Sequence, residues 1–341
     1  MIHYIETGST DPCYNLAFEE FLLEKRQEGE WLMLWQNADT IVIGLNQNAD
    51  EEINADFVRE QGIRVVRRCT GGGAVYHDLG NLNYSFLEDL GDAEQLSIRR
   101  FTEPVCRALE RLGISAETSG RNDILADGKK ISGTAQRILR GRILHHGTLL
   151  FDSDGGRMAA ALKTDPSKFE SKSAKSVRSR VGNLRPLLPG NMDLESFRAL
   201  LLQELTRDGL QRESLTETEL SEIRTLAEKK YRSWEWTYGR NPPYQFRNRQ
   251  RFAGGTLEVL LRTEKERIRE IAFRGDYMAV LPGGELSEAL KGVPMQRDAV
   301  RRVLDRFPLP LVFGGITEEE ILSVLFDGNG GGEAIGNTRP L

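Results

Sequence analysis

Two periods of apolar residues run through the chain. Over residues 15–26, Leu16, Phe18, Phe21, Leu22 and Leu23 recur among acids, which predicts an amphipathic helix entered by the Asp11-Pro12 turn. Short apolar runs at Trp31–Trp35, Thr40–Leu45 and Ile63–Val66 read as strands, with a helix over Asp56–Gln61 leading into the third. Asn81–Leu87 alternates as a strand does. Arg99–Leu112 carries Phe101, Val105, Leu109 and Leu112 on one helical stripe that Gly113 ends. Ile124-Leu125-Ala126 and Lys129-Lys130-Ile131 flank Asp127-Gly128, a strong two-residue hairpin signal. His145–Phe151 reads as a further strand, and Leu194–Leu205 and Glu217–Tyr231 as helices.

Asn241-Pro242-Pro243 interrupts this series, and we expect a domain boundary near residue 246. Beyond it, strands near Thr256–Leu261 and Arg267–Phe273 and helices at Arg297–Phe307 and Glu318–Leu325 predict a small α+β unit with a flexible glycine-rich tail. A chain of 341 residues suits two domains, 1–245 and 246–341, and buries a core without staples. A net charge of −5 argues against general nucleic-acid affinity. Cys13, Cys69 and Cys106 form no disulfide framework, which points to a reducing cytoplasm. The N-terminus lacks the pattern of a signal peptide, and no apolar run nears the roughly 20 residues of a membrane span.

Chemistry concentrates in the segment from Arg67 to Asn81. Gly71, Gly72 and Gly73 let backbone approach a ligand and aim N–H groups at it. Arg67 and Arg68 supply donors for carboxylate or phosphate. In the hairpin, a two-residue turn sets Leu125 opposite Lys130 and Ile124 opposite Ile131. Alternation then places Lys130 on the face away from Ile131, toward a pocket if Ile131 is core, with Lys129 pointing away. Residues 163–185 hold seven basic side chains (Lys163, Lys168, Lys172, Lys175, Arg178, Arg180, Arg185) against Asp165 and Glu170, the signature of a mobile basic loop.

The glycine segment, Arg121-Asn122-Asp123-Ile124, Lys129–Gln136, His145-His146-Gly147-Thr148, the Asn15–Glu20 stretch, Ser176–Val181 and Ser233–Trp236 appear in one order. In these motifs residues 1–245 closely resemble ATP-dependent lipoate–protein ligases, and a C-terminal domain of the expected size follows. The resemblance implies an α+β fold: a class II synthetase-like catalytic domain shared with biotin–protein ligases, built on a mixed, mainly antiparallel sheet, plus a small accessory domain. It implies that lipoate and ATP form lipoyl-adenylate and pyrophosphate, and that the lipoyl group then passes to an acceptor lysine with release of AMP. The acceptors implied are lipoyl domains of 2-oxoacid dehydrogenase E2 subunits and the glycine-cleavage H protein. We expect a monomer.

The same resemblance implies residue roles. Lys130 matches the catalytic lysine, aimed at charge developing on the α-phosphate. Arg68 lies near the lipoyl carbonyl and adenylate. Thr70 and Gly71, Gly72 and Gly73 wall the lipoyl and phosphate groups, with Ser132 and Gly133 beside Lys130. His77 and His146 are pocket residues, and Asn81 suits pyrophosphate oxygens or their ion. Asn122 and Asp123 either orient Lys130 or hold Mg²⁺, with Asp123 the metal candidate. Lys175, Arg178 and Arg180 belong to the loop that closes over the adenylate and excludes water. The C-terminal domain is expected to act as a mobile cap.

Other readings are weaker. An octanoyl transferase or amidotransferase of the same fold needs an activated cysteine beside a lysine or histidine. Cys13 and Cys106 fall on predicted helices away from the motifs, and Cys69 falls at a variable motif position. A biotin ligase would carry a different arginine–glycine loop. A binding module without turnover is disfavoured by the intact Lys130, Arg68 and glycines.

Overall fold

The computed structural model describes residues 1–91, 98–120, 122–163, 181–238 and 246–327. The strands of the first part are β1 (Ile2–Ile5), β2 (Glu30–Trp35), β3 (Thr40–Ile43), β4 (Arg64–Arg67), β5 (Val75–His77), β6 (Asn81–Asp89), β7 (Ala116–Ser119), β8 (Asp123–Ala126), β9 (Lys129–Leu139), β10 (Arg142–Leu150) and β11 (Leu210–Arg212). Eight of them form one sheet in the order β11-β1-β2-β6-β10-β9-β8-β7. The β11–β1 and β1–β2 pairs are parallel and the remaining five antiparallel. The order β4-β3-β5 makes a second, three-stranded sheet.

Alternation along β2 shows why the large sheet needs cover on both sides. Leu32 and Leu34 enter a core with the helices Ile98–Arg111 and Leu194–Leu205. Trp31, Met33 and Trp35 enter another with the helix Pro12–Lys25 and the segment Glu217–Tyr231. Side chains of successive strand residues leave opposite faces, so an apolar run of this length is stable only between two layers. The Pro12–Lys25 helix forms, but it is not the amphipathic helix expected: it is buried almost throughout, Glu19 and Glu20 included, because it is covered on several sides; Asp11 caps it by accepting from Cys13 N.

The C-terminal strands β12 (Phe246–Phe252), β13 (Gly255–Glu264) and β14 (Arg267–Gly275) form an antiparallel meander. Helices at Gly284–Leu290, Arg297–Leu304, Leu309–Phe313 and Glu318–Phe326 complete it. Residues 246–326 thus build a core of their own. β12 escapes the sequence pattern because Arg247, Arg249 and Arg251 alternate with partly buried residues on an edge strand.

The hairpin forms as expected at its turn: Asp127 and Gly128 both adopt positive φ, as the tight two-residue turn requires. Its register departs from expectation one step further on. Leu125 faces Lys130, but Ile124 faces Ser132 and not Ile131, because a bulge intervenes. One extra residue on β9 reverses the alternation beyond it. Ile131 still packs with Ile124 in the core, and Lys130 looks out of the other face.

Candidate active site

A cavity lies between the two sheets of the first domain, on the side of the Pro12–Lys25 helix. The large sheet lends it Asn83, Lys130, Gly133, His146 and Thr148; the small sheet and its connecting loop lend Val42, Arg68, Gly72, Gly73 and His77. Leu16 and Trp35 close its inner end.

Arg67 ends β4, and its guanidinium is a structural knot. Nη1 donates to the carbonyls of Gly44, Leu45 and Gln47 (2.6–3.0 Å), Nε to that of Trp236 (2.9 Å), and Nη2 to that of Thr237 (2.6 Å). It presents no free fork to an anion, so the expectation that both adjacent arginines serve a ligand is corrected for Arg67. Arg68 does line the cavity, while also tying the glycine loop. Nη2 donates to Gly71 O (2.6 Å) and Gly73 O (2.9 Å), Nε to Thr70 Oγ1 (2.9 Å), and Nη1 to Val42 O (3.1 Å). Burial lowers both guanidinium groups to about 10, so each keeps its charge at neutral pH.

The loop itself is drawn against the C-terminal unit. Gly71 N donates to Ala279 O (3.3 Å) and Gly72 N to Tyr277 O (3.1 Å). Two amides that the sequence aims at a ligand are therefore engaged by backbone of the second unit. A Cβ on Gly71 would stand 2.6 Å from Ala279 N, and Gly72 has φ +87°, so neither position accommodates a side chain in this arrangement. Ile138 N to Val280 O (2.9 Å), Gly275 N to Asn46 O (2.8 Å) and the Arg247–Glu51 ion pair (2.5 Å) extend the same contact.

Behind the loop runs a buried polar chain. Thr70 Oγ1 meets His146 Nε2 at 2.8 Å, and His146 Nδ1 meets Glu19 Oε1 and Oε2 at 2.9 and 3.0 Å. A carboxylate only accepts, so His146 carries a proton on Nδ1. Ser85 Oγ donates to Glu19 Oε1 (2.6 Å) and accepts from Trp35 Nε1 (2.8 Å). Glu19 is fully buried.

At the more open end, Lys130 Nζ lies 2.7 Å from Asp123 Oδ1, with each side chain about one-third exposed. Asn122 is clamped to Thr134: its Nδ2 donates to Thr134 O (2.9 Å), and its carbonyl accepts from Thr134 N (2.9 Å). Gly182 N donates to Lys130 O (2.9 Å), and Val181 bridges Lys130. Val181 and Gly182, which follow the basic residues Lys175, Arg178 and Arg180 in sequence, thus lie beside Lys130. Lys175, Arg178 and Arg180 lie outside the described residues. No group of three or more His, Cys, Asp or Glu that could hold a metal occurs among the described residues.

Of the residues singled out in the sequence, Arg68, Gly72, Gly73, His77, Asn122, Lys130, Gly133 and His146 line the cavity. Thr70 and Asp123 touch those that do. Asn81 and Ser132 are buried, and neither lines the cavity; Asn81 reaches it through Asn83, to whose Oδ1 it donates at 2.9 Å. The sequence alone assigns no role to Glu19, Trp35 or Asn83, although Glu19 lies in the Asn15–Glu20 stretch. A buried acid on an apolar helix was the available signal.

The cysteines lack the means for thioester chemistry. Burial raises the Cys13 thiol to about 11 and that of Cys69 to about 12, and raises Cys106 as well. All three are buried and free.

Comparison with known proteins places the chain in a family. The family model "Lipoyl protein ligase A/B catalytic domain" matches residues 11–206, and "Bacterial lipoate protein ligase C-terminus" matches residues 241–325. The chain is 42% identical to the lipoate-protein ligase LplJ of Bacillus subtilis, over 93% of this chain and 97% of that protein. A putative lipoate protein ligase of Thermoplasma acidophilum, solved with bound lipoic acid, is 30% identical. It superposes with a TM-score of 0.62 over 71% of this chain and all of the other. A lipoate-protein ligase A solved with ATP gives 30% and 0.60, over 70% of this chain and 98% of its own. By the two family models it matches and its likeness to the Bacillus subtilis ligase over 93% of its length, this chain belongs to the lipoate–protein ligase family, as an ATP-dependent ligase.

Proposed function

We propose that this chain salvages lipoate in the cytoplasm by two transfers at the cavity described above. The carboxylate oxygen of lipoate attacks the α-phosphorus of ATP, a P–O bond breaks, and pyrophosphate leaves. The ε-amine of an acceptor lysine then attacks the lipoyl carbonyl, AMP leaves, and the amine gives up its proton. The observation that carries this reading is a cavity that holds the apolar side chains of Leu16 and Trp35 at its inner end and, among the described residues, one ammonium, Lys130, near its more exposed rim. That is what a carboxylic acid with a long apolar tail asks of a site that must also meet a triphosphate.

In this reading Lys130 meets the charge on the α-phosphate, and Asp123 holds its ammonium in place. Arg68 shapes the loop and adds positive potential over the acyl carbonyl. Asn122, Gly72 and Gly73 wall the adenylate. Asp123 also fits Mg²⁺, since a magnesium ion at a nucleotide takes one or two carboxylates and fills its shell with phosphate and water. That ion supplies charge neutralisation on the phosphates when bound. Lys175, Arg178 and Arg180 close over the adenylate, and the C-terminal unit, divided from the first at 245/246, is a cap that lifts for transfer. The acceptors are lipoyl domains of 2-oxoacid dehydrogenase E2 subunits and the glycine-cleavage H protein, met by a monomer.

The test is the intact mass of an apo lipoyl domain incubated with the protein, lipoate and Mg²⁺, with and without ATP. A lipoyl mass gain only with ATP is expected. A gain without ATP from an octanoylated donor protein would replace the ligase by a transferase. No gain on any acceptor would leave the binding-module reading.

A further inference from the structure

The inner end of the cavity is not uniformly apolar. His77 is 4% exposed and Asn83 2%, both line the cavity, and each carries a polar atom without a partner among the described residues: His77 Nε2 and Asn83 Nδ2. A buried donor left unmet costs on the order of 1–3 kcal/mol, so two on one cavity wall call for an occupant that meets them.

The hydrogen on His77 can be placed by following the network outward. Asn15 Nδ2 contacts the carbonyls of Ser9 (3.1 Å) and Gln36 (2.8 Å), which only accept, so the amide nitrogen of Asn15 is oriented. It also contacts Asn37 Oδ1 at 2.9 Å, which leaves Asn37 Nδ2 to donate to His77 Nδ1 at 3.1 Å. His77 Nδ1 is then an acceptor, and the ring hydrogen sits on Nε2. Burial lowers the ring to about 3, so it stays neutral near pH 7 with one outward donor. Asn83 Oδ1 accepts from Asn81 and leaves Nδ2 free. Trp35 stands next to both: its ring meets that of His77 edge-on at 6.4 Å, and Trp35 pairs with Asn83 across β2 and β6.

We infer that His77 and Asn83 form a polar reader of the distal end of the acyl chain, which accepts the sulfur atoms of a dithiolane ring and disfavours an all-carbon end of the same shape. The inference rests on the reading that Lys130 marks the carboxylate end, since the tail then points to Leu16, Trp35, His77 and Asn83. Divalent sulfur is a weak acceptor, so each N–H···S contact is modest. An all-carbon ring leaves both donors unmet, and discrimination arises from that penalty.

The test compares kcat/KM for ATP-dependent pyrophosphate release with lipoate and with its carbocyclic analogue, in which a cyclopentane ring replaces the dithiolane. The two acids have the same chain and nearly the same shape. The wild-type protein is expected to prefer lipoate by about tenfold. His77→Phe and Asn83→Leu should each bring the ratio toward one, and His77→Gln, which keeps an N–H at the site, should restore most of it. Equal use of the two acids by the wild type overturns the inference and leaves the ligase reading standing. A preference that survives in folded His77→Phe and Asn83→Leu also overturns it. The wild-type comparison decides even if those variants fail to fold. No pyrophosphate release with either acid overturns the ligase reading, and this inference with it.

Discussion

Lys130 Nζ and Asp123 Oδ1 meet at 2.7 Å across a hairpin whose register slips by one residue between them. Asp123 pairs with Gly133 and not with a residue nearer the turn, so Lys130 reaches back along the strand to it. The ammonium passes 3.2 Å from where a Cβ on Gly133 would stand, and so shares a face with a residue three positions on. A regular strand would put residues three apart on opposite faces. The bulge thus delivers the lysine, its carboxylate partner and the small residue to one wall of the cavity.

Removing the ammonium should remove the first half-reaction. Lys130→Ala is expected to lower adenylate formation by at least about 10²–10³-fold, the usual loss of one preorganised electrostatic contact at developing charge. Lipoate binding, measured by calorimetry, should persist. Asp123→Asn should lower kcat more than it raises KM for lipoate. AMP release at the wild-type rate from folded Lys130→Ala would remove the lysine from the mechanism.

The Glu19–His146–Thr70 chain ties the Pro12–Lys25 helix to the glycine loop. Glu19→Ala strands Ser85 and His146 without their acceptor and should cost about 1–3 kcal/mol of stability. KM for lipoate should rise because Thr70 and Arg68 lose their backing. Glu19→Gln keeps an acceptor and should recover part of both. Chemical unfolding with steady-state kinetics checks this; wild-type stability and KM in Glu19→Ala would show that the chain is incidental.

Stability should depend on pH through His77. The native ring stays neutral down to about pH 3, whereas an unfolded histidine takes a proton below about 6.5. The unfolded state then holds the extra proton, and stability falls as pH drops from about 6.5 to about 3. His77→Gln lacks this term. From about pH 6.5 to about pH 5 it should lose about 2 kcal/mol less stability than the wild type, since each pKa unit is worth about 1.4 kcal/mol. Urea unfolding of both proteins at the two pH values gives the comparison, and parallel losses would count against a neutral buried ring.

The contact between the units should be separable by one methyl group. A Cβ on Gly71 would come within 2.9 Å of both the nitrogen and the oxygen of Ala279, which belong to backbone and do not swing aside. Gly71→Ala is therefore expected to detach the second unit, with faster hydrogen exchange at Ile138, whose amide donates to Val280 O. A larger radius of gyration by solution scattering should accompany it. Wild-type exchange and scattering in this variant would refute a cap held by the loop.

Local pattern carried much of this architecture. The Pro12–Lys25 and Ile98–Arg111 helices, the Asp127-Gly128 turn and most central strands follow from apolar spacing and turn chemistry, which act between near neighbours. The motif series led to the family, and hairpin alternation put Lys130 on the side away from Ile131. What it missed depends on contacts distant in sequence. A bulge reverses the pairing beyond Leu125, and no local rule announces a bulge in Lys130-Ile131-Ser132. Arg67 and Arg68 look alike as neighbours, yet one is exhausted by carbonyls of residues 44–47 and 236–237 while the other reaches the cavity. Glu19 acquires its partner 127 positions away, and Gly71 and Gly72 acquire theirs in the second unit. Periodicity and turn residues determine which elements form, because those energies are local. Which donor is used up and which stays free is decided by tertiary packing, because a hydrogen bond depends on where its partner finally lies.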